Sequence, residues 1–185
     1  VLPPVSPVAG SLESSPLYQE VFEAVGTGFC VIEVLFDEAR AVDFVHCRVN
    51  AAFGRITGLA DVIGRRATEV LPGLDEYWFR VFGRVAGEGM PVQFARYLPQ
   101  LGRWYSVEAV RLGPAVARRV AVLFFDISRR KQVETDLAES EARFSALADG
   151  LPMPVWVLDE RGHARFVNSA FTEFFGGDEQ RVPED

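Results

Sequence analysis

The sequence predicts an α+β domain: a five-stranded antiparallel sheet with short helices on one face, followed by a separate linker helix. Three observations carry this. Two adjacent runs rich in β-branched and aromatic residues, 29–36 and 42–49, stand near the start. A stretch punctuated by glycine and proline follows, with room for short helices and one longer one. Three more β-rich runs, 92–98, 103–110 and 118–125, then succeed one another with no helix between them.

Each element has its local cause. Residues 1–15 hold Pro3, Pro4, Pro7 and several serines, the composition of a flexible linker. Ser15 and Pro16 suit an N-cap and a first helical position, so a short helix is expected over 16–25, ended by Gly26 and Gly28. The polar turn 37–40 joins the first two runs into a hairpin. In its second run Val45, Cys47 and Val49 alternate with Phe44, His46 and Arg48, and the first set is expected to face inward. Asn50 can cap a helical turn containing Ala51, Ala52 and Phe53, closed by Gly58. Over 76–87, Trp78, Val81, Phe82 and Val85 recur at spacings of three and four, one face of a helix that Gly87 and Gly89 stop. Gly102, then Gly113 with Pro114, mark the turns between the last three strands.

Beyond Asp126 the period is helical. Val133, Leu137, Ser140, Phe144, Leu147 and Leu151 are spaced 4, 3, 4, 3, 4, a heptad seam with one polar member. Such a seam pairs with a partner helix, giving a homodimer; a lone amphipathic helix packed on its own domain has a similar pattern. The organisation read from the chain is a linker at 1–15, a domain at 16–126, a coiled-coil helix at 127–147 and the start of a second domain at 148–185.

An internal repeat supports the last boundary. Asn50-Ala-Ala-Phe53, with Gly58 after it, follows the first hairpin; Asn168-Ser-Ala-Phe171, with Gly176 after it, follows a strand pair within 155–167. The separation is too long for a solenoid and suits tandem domains. The second copy stops before its remaining strands, so the chain is expected to be part of a longer protein, with residues after about Gly176 poorly ordered.

Composition narrows the function. A net charge of -7 disfavours nonspecific contact with nucleic acid or anionic lipid. No apolar run reaches the ~20 residues of a membrane span, and the start lacks the features of a signal peptide, so a cytoplasmic protein is expected. Cys30 and Cys47 lie in strand-like runs without metal-ligand spacing and read as small buried hydrophobes. There is no nucleophile elbow, P-loop, paired catalytic carboxylates or metal cluster, so neither catalysis nor a metal is expected of this chain.

Taken in order, the hairpin, N-x-A-F, the amphipathic helix, three strands and then Asp126-Ile127-Ser128-Arg129-Arg130-Lys131 resemble the PAS domain family. Residues 139–159 are similar to the junction between tandem PAS domains of bacterial sensor histidine kinases. The resemblance implies a sensory module that binds a small molecule between sheet and helices, or acts without ligand as a dimerisation or interaction module. It implies relay of state through the last strand into the linker helix, with Asp126, Ile127 and Arg130 at the signalling junction, Val133, Leu137, Phe144 and Leu147 in the dimer seam, and a kinase or other output domain attached elsewhere. The flavin-binding G-x-N-C-R-F-L-Q motif is absent, and the long helix has no histidine of the kind haem-binding relatives use, which argues against both cofactors. His46 and His163 are expected to be solvated. The pocket candidates are Trp78, Phe82, Phe94, Arg96, Trp104, Ser106 and Phe124, although the aromatics among them suit a filled core better than an open pocket; strand parity suggests that Arg96, Ser106 and Glu108 share one face with Phe94 and Trp104. What ligand the pocket would take, the sequence leaves open.

Overall fold

In the computed structural model, which describes residues 20, 22–24 and 26–176, the strands β1 (Gly28–Asp37), β2 (Arg40–Val49), β3 (Val92–Leu98), β4 (Arg103–Leu112) and β5 (Arg119–Asp126) form one antiparallel sheet in the order β2-β1-β5-β4-β3. The first and last strands therefore meet near its middle. Helices α1 (Ala51–Thr57), α2 (Ala67–Val70) and α3 (Glu76–Glu88) come between β2 and β3 in the chain. Helix α4 (Ser128–Asp149) follows β5, and then a short hairpin, β6 (Trp156–Leu158) and β7 (Ala164–Val167), and helix α5 (Ser169–Phe175). Internal contacts divide the chain into two units, one ending at Arg129 and the other starting at Arg130. The expected linker at 1–15 and the disorder expected after Gly176 lie outside the described residues; of the helix expected over 16–25, residues 20 and 22–24 are described and helical.

The first unit's core lies between the inner face of the sheet and the helices. Cys30, Ile32 and Val34 of β1, Tyr105, Val107 and Ala109 of β4, and Val120 and Val122 of β5 face Phe53 of α1 and Trp78, Val81, Phe82 and Val85 of α3. All of these are buried, and burial of the Val, Ile and Phe side chains among them stabilises a fold by about 1.5–3 kcal/mol each. Helix α3 begins at Asp75, whose side chain accepts from the Tyr77 N–H at 2.8 Å, and ends at Gly89, whose φ of 80° favours glycine. It approaches the β1–β2 hairpin so closely that a Cβ at Gly83 would lie 2.5 Å from the Ala41 Cβ.

Two expectations about strand faces are corrected. Phe44 and His46 face the core, whereas Val45 and Cys47 are half-buried. The pairing explains why: Ile32 opposes His46, but Cys30 opposes Val49, with a register shift between Val31 and Ile32. A bulge there breaks strict alternation, so Val49 returns to the core side while Val45 and Cys47 do not. The second correction concerns β3 and β4. Four residues, 99–102, join Leu98 to its partner Arg103, so even positions of β3 oppose odd positions of β4. Phe94 pairs with Val107 and Arg96 with Tyr105, on the helix side, while Trp104 and Ser106 pair with Tyr97 and Ala95 on the other face.

The second unit holds most of α4, the β6–β7 hairpin and α5. Its packing is aromatic: Phe144 meets Phe166 edge-on at 5.0 Å, and Phe171 lies buried against Phe175 and Trp156. Leu151, the last residue of the predicted seam, falls beyond the end of α4.

Candidate functional site

A small cavity of about 40 Å³ lies in the core of the first unit, between the sheet and α1, α3 and the segment leading into α3. Cys30, Ile32, His46, Val122 and Phe124 line it from the sheet; Phe53, Leu74, Trp78 and Phe82 line it from the other side. Its polar neighbours are mostly engaged. The Tyr105 hydroxyl donates to the Ile56 carbonyl at 3.2 Å, and the Thr57 hydroxyl to the Phe53 carbonyl at 2.7 Å. Burial pushes the Cys30 thiol up, with Cys47 adding to the shift, so it stays protonated and a poor nucleophile.

His46 adds an imidazole to the lining, and it overturns the expectation of a solvated side chain. It is 4% exposed, with its ring edge-on to Phe44 at 5.4 Å and Phe53 at 5.9 Å. Its backbone is clamped to the following loop: its N–H donates to the Arg65 carbonyl at 3.2 Å, and its carbonyl accepts from the Gly64 N–H at 2.8 Å. Ring Nδ1 lies 3.4 Å from the same Arg65 carbonyl. Burial lowers its pKa, against the upward pull of that carbonyl and of Asp43, and the neutral ring is favoured. His163, by contrast, lies exposed beside Asp159 in the β6–β7 turn.

Of the predicted pocket residues, Trp78, Phe82 and Phe124 line the cavity. Phe94 lies beside it, 5.5 Å from both Tyr77 and Trp78, without reaching it. Arg96 is taken up by the protein: it pairs with Asp75 and lies 4.0 Å over the Tyr77 ring. Trp104 and Ser106 are on the opposite sheet face, so neither belongs to the pocket. The lining residues that sequence parity missed, above all His46 and Tyr105, were hidden by the same bulge and four-residue turn. A separate depression of about 870 Å³ between the β1–β2 turn and α3 is open to solvent and lined by Arg40, Glu76, Arg80 and Arg84 among others.

The junction between the sheet and α4 is built at the open end of the β4–β5 hairpin, where the start of β4 lies beside the end of β5. Asp126, last residue of β5, accepts from the Ser128 N–H at 2.9 Å and from the Arg103 guanidinium at 2.7 Å. Burial raises its pKa, but these bonds outweigh that and hold the carboxyl below its ordinary range. The Ile127 N–H donates to the Trp104 carbonyl at 2.9 Å, and the Trp104 N–H donates to the Ser128 hydroxyl at 3.0 Å. The first residues of α4 are thus tied to the first residues of β4. Arg130 is one turn further on and pairs with Glu134 at 3.5 Å. The partner Arg103 carried no signal in the sequence, since only the strand register brings it to Asp126.

Along α4, Val133, Leu137, Phe144 and Leu147 are 59%, 59%, 47% and 70% exposed. Of these, Phe144 packs on Phe166 within the second unit.

Comparison with known proteins agrees with this architecture. A family model described as PAS domain matches residues 142–184. Among solved structures, an RNA-binding light-oxygen-voltage receptor shares 19% identity at a TM-score of 0.50, over 78% of this chain and 42% of its own. This chain thus spans less than half of that receptor's length. The PAS domain of an HTR-like protein from Haloarcula marismortui shares 18% identity at a TM-score of 0.43, over 62% of this chain and 93% of its own. A sensory box sensor histidine kinase from Vibrio cholerae shares 14% identity at a TM-score of 0.41, over 65% of this chain and 98% of its own. No curated protein matches. The fold is PAS-like: an α+β domain with a five-stranded antiparallel sheet and several helices. Among the described residues, no helix is long and apolar enough to cross a membrane.

Proposed function

We propose that this chain is the sensory region of a signal-transduction protein, a histidine kinase by preference, in which the first unit senses a small ligand or partner and passes its state through α4 to an output domain. The observation that carries the reading is the junction. Asp126, Arg103, Trp104 and Ser128 bind the start of α4 to two sheet strands, and those strands also wall the cavity through Tyr105, Val122 and Phe124. A shift in the strands has a short, polar, directional path into the helix.

The exposed Val133, Leu137 and Leu147 suit a second copy of α4, so the chain acts as a homodimer with a coiled-coil linker. The second unit is read as the opening of a second PAS domain, supported by the family model over residues 142–184 and by the matching hydrogen bonds of Asn50 and Asn168 to Phe53 N and Phe171 N. The chain itself is proposed to be non-catalytic and cytoplasmic, without nucleic-acid or membrane partners. Light sensing of the cysteinyl-flavin kind is not extended to it, because its two cysteines both lie on strands.

A second reading, a ligand-free interaction module, is favoured by the size of the cavity. About 40 Å³ admits only a few atoms, since one water needs ~10–15 Å³ on such a measure. Mass spectrometry of pure protein after denaturation separates the two. A stoichiometric small molecule supports sensing; its absence, with a dimer by light scattering, supports the interaction module.

A further inference from the structure

We infer that the cavity accepts a small neutral molecule carrying an O–H or N–H donor, oriented by donation to Nε2 of His46. This rests on the ligand-sensing reading above and narrows it to a ligand class. The Arg65 carbonyl can only accept, so the 3.4 Å contact favours the tautomer with the ring proton on Nδ1, which leaves Nε2 as a lone-pair acceptor. Among the described residues Nε2 has no hydrogen-bond partner. Among the described residues no fully enclosed side-chain nitrogen or oxygen lacks a partner, so Nε2 is not completely sealed in. His46 is one of the residues lining the cavity and is more than nine-tenths buried.

The surroundings set the rest of the specificity. The Tyr105 and Thr57 hydroxyl protons are given to backbone carbonyls. The rest of the wall is the Cys30 thiol and apolar side chains such as Ile32, Phe53, Leu74, Trp78, Phe82 and Val122, which offer little to solvate a charge. The volume of about 40 Å³ excludes ring cofactors and leaves room for a few heavy atoms. An acceptor-only ligand of the same size would leave Nε2 desolvated and unpaired, which is the costly case.

The test uses two near-isosteric probes, 2-propanol and acetone, which differ in having or lacking a donor. Each is titrated into the whole chain while backbone amide NMR signals of His46, Phe53 and Arg65 are followed. The expected result is saturable shifts with 2-propanol, with acetone about tenfold weaker, and loss of that preference in His46→Phe. Should that variant not fold, the imidazole ¹⁵N signals of the unaltered chain serve instead: Nε2 moves with 2-propanol and stays with acetone. Equal binding of both probes, or a preference that survives His46→Phe, overturns the role of His46 while leaving a ligand-binding cavity in place. Binding of neither overturns this inference and removes the cavity from the sensing reading as well.

Discussion

Asn50 and Asn168 make the same four hydrogen bonds, one in each unit. The Oδ1 of Asn50 accepts from Phe53 N at 2.9 Å, capping α1, and from Phe29 N at 2.9 Å; its Nδ2 donates to the carbonyls of Phe22 at 3.1 Å and Thr27 at 2.9 Å. The Oδ1 of Asn168 accepts from Phe171 N at 2.9 Å and Val155 N at 2.8 Å; its Nδ2 donates to Ala148 at 2.8 Å and Met153 at 2.9 Å. Even the outer bond recurs, with Glu23 accepting from Ala51 N and Asp149 from Ser169 N. In both units one buried amide ties a helix end, a strand start and the next helix together.

Replacing either amide strands several buried backbone groups at once. Asn50→Ala is expected to cost about 3 kcal/mol, combining a lost cap with unsatisfied donors and acceptors. Amide hydrogen exchange checks it: Asn50→Ala accelerates exchange at Phe29 and Phe53, whereas Asn168→Ala does so at Val155 and Phe171 and spares the first pair. Unaltered exchange at these amides would show the bonds to be incidental.

Gly83 offers a test of sign. Alanine in a helix interior ordinarily stabilises by ~1 kcal/mol relative to glycine. Here the added Cβ would lie 2.5 Å from the Ala41 Cβ, so Gly83→Ala is expected to destabilise by about 1–3 kcal/mol. In an Ala41→Gly background the same change should become neutral or stabilising. Urea unfolding of the four proteins gives the answer.

The buried imidazole makes stability depend on pH. The His46 pKa is lowered in the fold, so between the folded value and the unfolded value of about 6.5 only the unfolded chain binds the proton. Its contribution is fully present above the unfolded pKa and is lost as pH falls toward the folded one. Cys30 and Tyr105, which share the cavity, are both shifted upward and stay protonated throughout that range. Thermal unfolding from pH 7.5 to 5 should show this slope in the unaltered chain and a flatter one in His46→Phe.

Asp126 acts in the same direction as His46 but in a lower pH window. Its folded pKa is depressed, so its contribution is present above the unfolded pKa of about 3.9 and disappears as pH falls through the folded value. Asp126→Ala removes it at neutral pH. Exchange at Ser128 and Ile127 is then expected to quicken, while the amides of Ile32 and Val122 in the sheet centre keep their protection.

The proposed pairing of α4 is checked by Leu137→Lys. Light scattering of the unaltered chain should give a concentration-dependent dimer, and of the variant a monomer with unchanged circular dichroism. Leu137 is 59% exposed within the chain, so folding itself has little reason to respond.

Element order was legible because it follows local composition: each strand run, the α3 periodicity and the Asn50 cap are written in neighbouring residues. Strand faces were not, because they depend on a bulge beside Ile32 and on the turn at 99–102, and one residue of register moves every side chain across the sheet. That is how Trp104 and Ser106 were read into a pocket from which they point away, and how His46 was read out of it. The asparagine repeat was visible as a motif with its local cap, but its other shared hydrogen bonds reach 13 to 28 residues away and needed coordinates.

The central claim is that the cavity and the start of α4 are mechanically joined through Asp126 and Trp104. Overfilling the cavity from its far wall with Leu74→Phe, and measuring amide exchange at residues 127–132, tests this most directly. Altered protection there, abolished when Asp126→Ala is added, is the predicted result. A response confined to residues lining the cavity would contradict the account.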